Sequence, residues 1–146
     1  MENIEYLGEK VFQLIPQRAP IVMIDEFKGF RDDVSLTSLN ISEDNIFVHN
    51  GCFIESGVIE HVAQSAAARV GYLAHQNKKE IPLGFIGSVD KFEFVELPTV
   101  GDVLNTEISI VQEIFDITLI HAKVFNRDKM IASGNMKIFL QKNEKE

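Results

Sequence analysis

Residues 57–75 (GVIEHVAQSAAARVGYLAH) form the segment that most constrains the fold. They contain no proline and carry four alanines between positions 63 and 68, so they predict a long helix. An apolar stripe at helical spacing runs through Val58, Ile59, Val62, Ala66, Val70 and Leu73. The other faces carry small residues, among them Ala63, Ala67, Ala68 and Gly71. Because neighbouring backbone can approach such faces closely, we expect a helix wrapped by a sheet.

The rest of the chain reads mainly as strands. After the helix, local period-2 patterns and turn residues predict four strands, at residues 83–96, 103–114, 115–125 and 130–140. Before it, the patterns predict a short helix at 8–15 and strands at 21–27 and 34–41. The irregular stretch at 42–56 is typical of a loop that carries a site. This order predicts a single antiparallel α+β domain over residues 1–146, with a frayed tail at 142–146.

Composition narrows the class of protein. The 146 residues, 45% of them hydrophobic, suffice for one domain with one core. The formal charge of −8 comes without a basic stripe, which argues against a nucleic-acid partner. No apolar run approaches the roughly 20 residues that span a bilayer. With a single cysteine, Cys52, and no charged-then-apolar leader, we expect a cytoplasmic protein.

Glu60 and Gln64 lie one helical turn apart, so we expect them to point into the same covered space. Two interpretations of Glu60 stay open. A glutamate near a helix N-terminus interacts favourably with the macrodipole, which is a purely structural role. Alternatively, its apolar neighbours favour the neutral carboxyl by desolvation, which is the form that a general acid requires.

The four histidines differ in how well their positions suit a catalytic role. His49 lies in the irregular stretch, where an imidazole can face a cleft or simply be solvated. His61 is turned about 100° from Glu60 on the helix, so we expect it to pack elsewhere. His75 suits the negative end of the helix dipole, and His121 reads as a core or interface residue. No pair has metal-ligand spacing, so we expect neither a metal ion nor another cofactor.

The start of the helix suggests a binding site for a carbonyl oxygen. Ser56 can act as the N-cap, which would leave the backbone N–H groups of Gly57 and Val58 free, as in an oxyanion hole. A simple capped start with a flexible glycine is the other interpretation. Cys52 has no base placed beside it by sequence spacing, so we interpret it as an idle thiol.

Four stretches share their order and spacing with the motifs of one family. They are residues 14–25 (LIPQRAPIVMID), 57–64 (GVIEHVAQ), 85–92 (FIGSVDKF) and 97–102 (LPTVGD). Together they resemble the hot-dog-fold 3-hydroxyacyl-acyl-carrier-protein dehydratases, in which Glu-x-x-Ala-Gln on the helix carries the catalytic carboxylate. The resemblance implies an antiparallel sheet wrapped around one long central helix, in agreement with the pattern of small residues.

The resemblance also implies a reaction. A 3-hydroxyacyl thioester of acyl carrier protein or coenzyme A would lose water to give the trans-2-enoyl thioester, in fatty-acid or related lipid biosynthesis. His49 would take the proton next to the carbonyl, and Glu60 would protonate the departing hydroxyl. The candidate substrate-binding residues are Gly57, Val58, Gln64, Phe85 and Phe92. Because the family's sites lie between subunits, we expect a homodimer or a higher even oligomer in which His49 of one chain faces Glu60 of the other.

The chain also departs from the family pattern. The family carries Gly-His-Phe-Pro and later Pro-Gly-Val before the helix, whereas residues 49–58 (HNGCFIESGV) contain no proline. Gln17 and Ala19 replace a histidine and an aromatic residue of the opening motif. These changes resemble divergent dehydratase-like proteins associated with aryl-polyene-type lipids and pigments. They leave two alternatives open, a non-catalytic acyl-binding partner subunit and an acyl thioesterase that needs no histidine.

Overall fold

The computed structural model describes residues 6–141 of the chain. A 3₁₀ helix occupies Gly8–Gln13, and the one α-helix among the described residues, α1, runs over Glu55–Gln76. The strands are β1 (Tyr6–Leu7), β2 (Glu26–Arg31), β3 (Val34–Asn40), β4 (Val48–His49), β5 (Cys52–Phe53), β6 (Leu83–Phe94), β7 (Val103–Ile114), β8 (Ile117–Asn126) and β9 (Lys129–Gln141).

Seven of these strands form one antiparallel sheet in the order β1-β2-β3-β7-β8-β9-β6. The strands β7, β8 and β9 follow one another as hairpins, whereas β6 crosses to the far edge and pairs with β9. The four long strands predicted after the helix are therefore confirmed. Strands β4 and β5 pair with each other as a small hairpin inside the stretch that the sequence suggested to be irregular, and Cys52 of β5 also forms an isolated bridge with Thr99.

The face of α1 toward the sheet is apolar and closely packed. Val58, Val62 and Ala66 lie in one core cluster with Leu104 of β7 and Met136 of β9, and all five side chains are buried. A helix thus lies within the curve of an antiparallel sheet, as expected. The α+β class and the wrapped central helix are confirmed.

The 3₁₀ helix and the residues after it pack on the C-terminal half of α1. Ala68 and Tyr72 share a second buried cluster with Val11 and Leu14. A Cβ atom at Gly71 would overlap the backbone carbonyl of Leu14. The small residue is therefore required for the close backbone approach that the sequence predicted.

Two predicted boundaries, the start of the strand before the helix and the start of the helix itself, differ from the structure, and a third prediction concerns residues outside the described range. The strand predicted at 21–27 begins only at Glu26, because the backbone of Ile21 and Met23 bonds to the Gln64 side chain of the helix instead of to a strand. The helix begins at Glu55, two residues earlier than predicted. The tail at 142–146 lies outside the described residues. Within residues 6–141, no helix has the length and apolar content needed to cross a membrane.

Candidate active site

Glu60 and Gln64 share one face of α1, as the sequence predicted, and they are hydrogen-bonded. Gln64 Nε2 donates to Glu60 Oε2 at 2.7 Å and to the Ile21 carbonyl at 2.9 Å. Gln64 Oε1 accepts from the Met23 N–H at 2.6 Å, which fixes the orientation of the amide because that oxygen must face a donor. Gln64 is fully buried, so it holds one carboxylate oxygen of Glu60 in a defined place. No residue in the described part of the chain donates to the other oxygen, Oε1.

Glu60 lies on the wall of a cavity of about 270 Å³ between α1 and the β6–β9 edge of the sheet. Among the described residues that line it, Gln17 and Glu60 are the only two with polar side chains. The apolar wall includes Leu14, Ala63, Ala66, Ala67, Val70, Phe85, Ile138 and Leu140. A narrow apolar space with one carboxyl group and one amide at its surface suits an acyl chain that carries a single polar group.

The loop that carries Gln17 is held by the next residue. Arg18 donates through Nη1 to the carbonyls of Ile15 and Gln17, both at 2.8 Å, and through Nη2 to the Phe12 carbonyl at 3.1 Å. Its guanidinium also stacks over the Phe12 ring at 4.4 Å. Sequence reasoning did not select Gln17 as a site residue. The available signal was its place in the opening motif, where the family carries a histidine.

His61 binds the backbone at Met23, in the segment that follows the loop carrying Gln17. Its Nδ1 lies 2.7 Å from the Met23 carbonyl and its Nε2 lies 2.7 Å from Thr106 Oγ1. Because a carbonyl only accepts, Nδ1 carries the proton and Nε2 accepts from the threonine hydroxyl. Complete burial lowers the pKa of His61 to about 4, although the Met23 hydrogen bond raises it. The side chain is thus a neutral structural clamp, and the prediction that it packs away from Glu60 is confirmed.

His49 lies on the β4–β5 hairpin, where it is exposed and pairs across the strands with Cys52. The hairpin turns through Asn50 and Gly51, both in the left-handed region at φ 52° and 78°, the usual chemistry of a two-residue turn. His49 is not on the wall of the cavity that contains Glu60. The described chain therefore does not bring these two residues to one cavity within a single subunit.

The turn at residues 97–102, one of the four motifs shared with the dehydratase family, supports the β4–β5 hairpin. The Phe53 N–H donates to the Pro98 carbonyl at 2.9 Å, and the Val100 N–H donates to the Gly51 carbonyl at 3.1 Å. Asp102 closes this turn, and the Thr99 N–H hydrogen bond to its carboxylate lowers the pKa of Asp102. The motif at 97–102 therefore positions the hairpin that carries His49.

The predicted oxyanion hole is wrong in its details. The N–H groups of Gly57 and Val58 both donate to the Ile54 carbonyl, at 2.9 and 3.2 Å, so neither is free. Ile54, in an extended conformation, is the N-cap, and Ser56 lies inside the helix. The reason for a glycine at 57 is steric, since a Cβ atom there would overlap Phe47 and Phe53.

The remaining candidates are divided between the cavity and the core. Phe85 lies on the cavity wall, and its contact with an acyl chain stays a prediction. Phe92 lies elsewhere: it stacks on Phe94 at 5.3 Å between ring centroids and packs against Gly134. Over residues 6–141, no group of three or more His, Cys, Asp or Glu side chains is arranged to hold a metal ion.

Comparison with known proteins gives consistent matches over most of the chain. A family model described as "ApeP-like: ApeP dehydratase" matches residues 9–146. The 3-hydroxyacyl-[acyl-carrier-protein] dehydratase FabZ of Natranaerobius thermophilus is 29% identical over 131 residues, which cover 87% of this chain and 92% of that protein. FabZ of Oceanobacillus iheyensis is 32% identical over 108 residues, which cover 71% and 76%.

Solved structures agree on the fold. The dehydratase heterocomplex ApeI:P from Xenorhabdus doucetiae contains a chain that superposes with a TM-score of 0.81 at 18% identity, covering 92% of this chain and 91% of that one. A hypothetical thioesterase from Streptococcus pneumoniae, solved with coenzyme A, superposes with a TM-score of 0.64 at 11% identity, covering 82% and 87%. At these identities both likenesses bear on the hot-dog fold alone.

Proposed function

The chain belongs to the ApeP-like dehydratase family, and on that premise we propose that it removes water from a 3-hydroxyacyl thioester to give the trans-2-enoyl thioester. The reaction class is that of a hydro-lyase, and the FabZ relatives are named for the same dehydration on acyl carrier protein. The observation that carries the proposal is Glu60, which is oriented by Gln64 and has a second oxygen directed at no described donor beside an apolar cavity.

The chemistry needs two groups with opposite roles. A base removes the proton from the carbon next to the thioester carbonyl, and the carbon–oxygen bond at the next carbon breaks as the double bond forms. Glu60, in its protonated form, donates its proton to the departing hydroxyl, which leaves as water. Such positioned acids and bases each contribute about 10²–10⁴-fold to a rate.

We propose His49 of a second subunit as the base. The edge strand β6 supports a second subunit, because every residue of it except Phe92 and Phe94 is exposed. Ile86 and Val89 pair with the buried residues Ile138 and Met136, so they face the same inner side, yet they are 45% and 42% exposed. A long apolar edge of this kind is a template for another strand, and a second copy would cover it.

The substrate would enter as a thioester of acyl carrier protein or coenzyme A, and the reaction would belong to fatty-acid or related lipid biosynthesis. The relatives named for the acyl-carrier-protein reaction favour the carrier protein as the natural donor. A cytoplasmic setting agrees with a chain that has one cysteine and hence no internal disulfide.

Substitution of Glu60 tests the reaction. Glu60→Gln should retain thioester binding but reduce dehydration by about 10²-fold or more, because an amide cannot donate the required proton. The exposed glutamate Glu55, in the first turn of the same helix, provides a control with the same charge change as Glu55→Gln. Release of free thiol by the wild-type protein would indicate a thioesterase instead, and binding without turnover would indicate a non-catalytic partner subunit.

Mixing of inactive subunits tests the shared site. His49→Ala and Glu60→Gln homodimers should each be inactive, whereas random exchange of their subunits should restore about a quarter of the wild-type rate, since half of the dimers then contain one intact site. No recovery after demonstrated exchange would contradict a site built from two chains.

Val89→Lys should give monomers by sedimentation, while Val111→Lys, at an exposed position of β7, should not. Exclusive pairing with a different hot-dog chain would contradict the homodimer.

A further inference from the structure

Gln17 presents a hydrogen-bond acceptor for which the described chain has no donor. Its Oε1 atom is buried and receives no hydrogen bond from any residue between 6 and 141. Buried polar atoms in folded proteins are nearly always hydrogen-bonded, so an unpaired one indicates a partner that the described residues do not supply. Gln17 shares its cavity with Glu60, and the rest of the described wall is apolar.

The acceptor is held in place from both sides along the chain. Arg18 ties the Gln17 carbonyl to the preceding turn through its contacts with Ile15 and Phe12. A few residues later, Gln64 and His61 bind the backbone of residues 21–23 to α1. The loop that carries Gln17 is therefore fixed to the helix that carries Glu60, as is needed for a preorganised binding group.

Resting on the proposed dehydration, we propose that Gln17 Oε1 accepts a hydrogen bond from the 3-hydroxyl group of the substrate and so selects hydroxyacyl over saturated acyl thioesters. A hydroxyl group has one hydrogen to donate and two lone pairs to accept with. Its hydrogen goes to Gln17, and one lone pair receives the proton of Glu60. Gln17 exchanges no proton, and the water that leaves carries the original hydroxyl hydrogen and the hydrogen from Glu60.

Binding measurements in a Glu60→Gln background test this role without turnover. The probes are coenzyme A thioesters of 3-hydroxyoctanoate, 3-oxooctanoate and octanoate, and the dissociation constants are measured by calorimetry. Adding Gln17→Met should raise the constant for the 3-hydroxyacyl probe by about tenfold, equivalent to ~1.4 kcal/mol, because one hydrogen bond is lost. The constants for the other two probes should change by less than about twofold, since neither donates from that position.

Gln13→Met provides the matched control, because Gln13 is an exposed glutamine in the neighbouring 3₁₀ helix. It should change none of the three constants. Equal weakening of all three probes by Gln17→Met, or no weakening of any, would overturn the proposal. Joint weakening of the hydroxyl and oxo probes would also overturn it, because the amide would then act as a donor. Hydroxyl-selective weakening in a protein whose wild type dehydrates nothing would support the Gln17 contact while rejecting the proposed reaction.

Discussion

Gln64 donates a hydrogen bond from Nε2 to Glu60 Oε2 at 2.7 Å, while its own oxygen accepts from the Met23 N–H at 2.6 Å. The amide thus connects the candidate acid to the backbone of a neighbouring segment. Because the amide is fully buried, rotation by half a turn would leave a donor facing a donor. The placement of the carboxylate depends on this one side chain.

We expect Gln64→Leu to affect both stability and turnover. The change leaves the buried Met23 N–H without an acceptor, which costs about 1–3 kcal/mol of unfolding free energy, and it also removes the hydrogen bond to the partly buried Ile21 carbonyl. Turnover should also fall, because Glu60 loses the donor that orients it. Urea unfolding and steady-state kinetics measure the two effects. The same change at Gln112, an exposed glutamine of β7, should leave both close to wild type; equal effects at both positions would contradict the role given to Gln64.

The buried histidine makes stability depend on pH with a definite sign. The pKa of His61 is about 4 in the folded chain, below its ordinary value of 6.5, so the unfolded chain binds more protons between these values. Stability should therefore fall as the pH is lowered through this window, by roughly 1.4 kcal/mol per pH unit from this group.

Urea unfolding at pH 6.5 and pH 5 measures the contribution of His61 to the pH dependence of the unfolding free energy. His61→Gln should be less dependent on pH than the wild type over that interval, whatever its absolute stability. His75→Gln serves as the control, since His75 is exposed near the end of the same helix. If His61→Gln retained the full wild-type pH dependence, the neutral clamp would not be the cause.

Gly71 should show a reversal of the usual helix propensity. Replacing glycine by alanine inside a helix normally stabilises by up to about 1 kcal/mol. Here the added Cβ atom would overlap the Leu14 carbonyl, which is backbone and cannot rotate away. Gly71→Ala should therefore destabilise, by about 1–3 kcal/mol, as overpacking does elsewhere. Gly84→Ala is the control, because its Cβ atom would meet only ordinary van der Waals contacts and should leave stability close to wild type. Thermal unfolding of both variants measures the two effects.

Local patterns in the sequence were sufficient for the central helix and the long strands. The small and apolar residues between 57 and 75 specify a helix that backbone can approach closely, and the structure places the Leu14 carbonyl against Gly71. The pairing of Glu60 with Gln64 followed from helical spacing alone, because residues four apart share a face. Periodicity determines these features, since they depend on neighbours in the chain.

Tertiary contacts decided where the strand predicted at 21–27 and the helix begin and which residues surround Glu60. Residues 21–23 have the composition of a strand, yet their backbone bonds to Gln64 and His61, which lie about 40 residues away. The N-cap is Ile54 instead of Ser56, and Phe53 of the β4–β5 hairpin packs against Gly57 in the first turn of α1. The unpaired oxygen of Gln17 and the absence of His49 from the Glu60 cavity are likewise consequences of long-range packing. Sequence by itself determined the elements and the candidate acid, whereas only the tertiary structure decided what surrounds that acid, because a cavity is formed by segments that are distant along the chain.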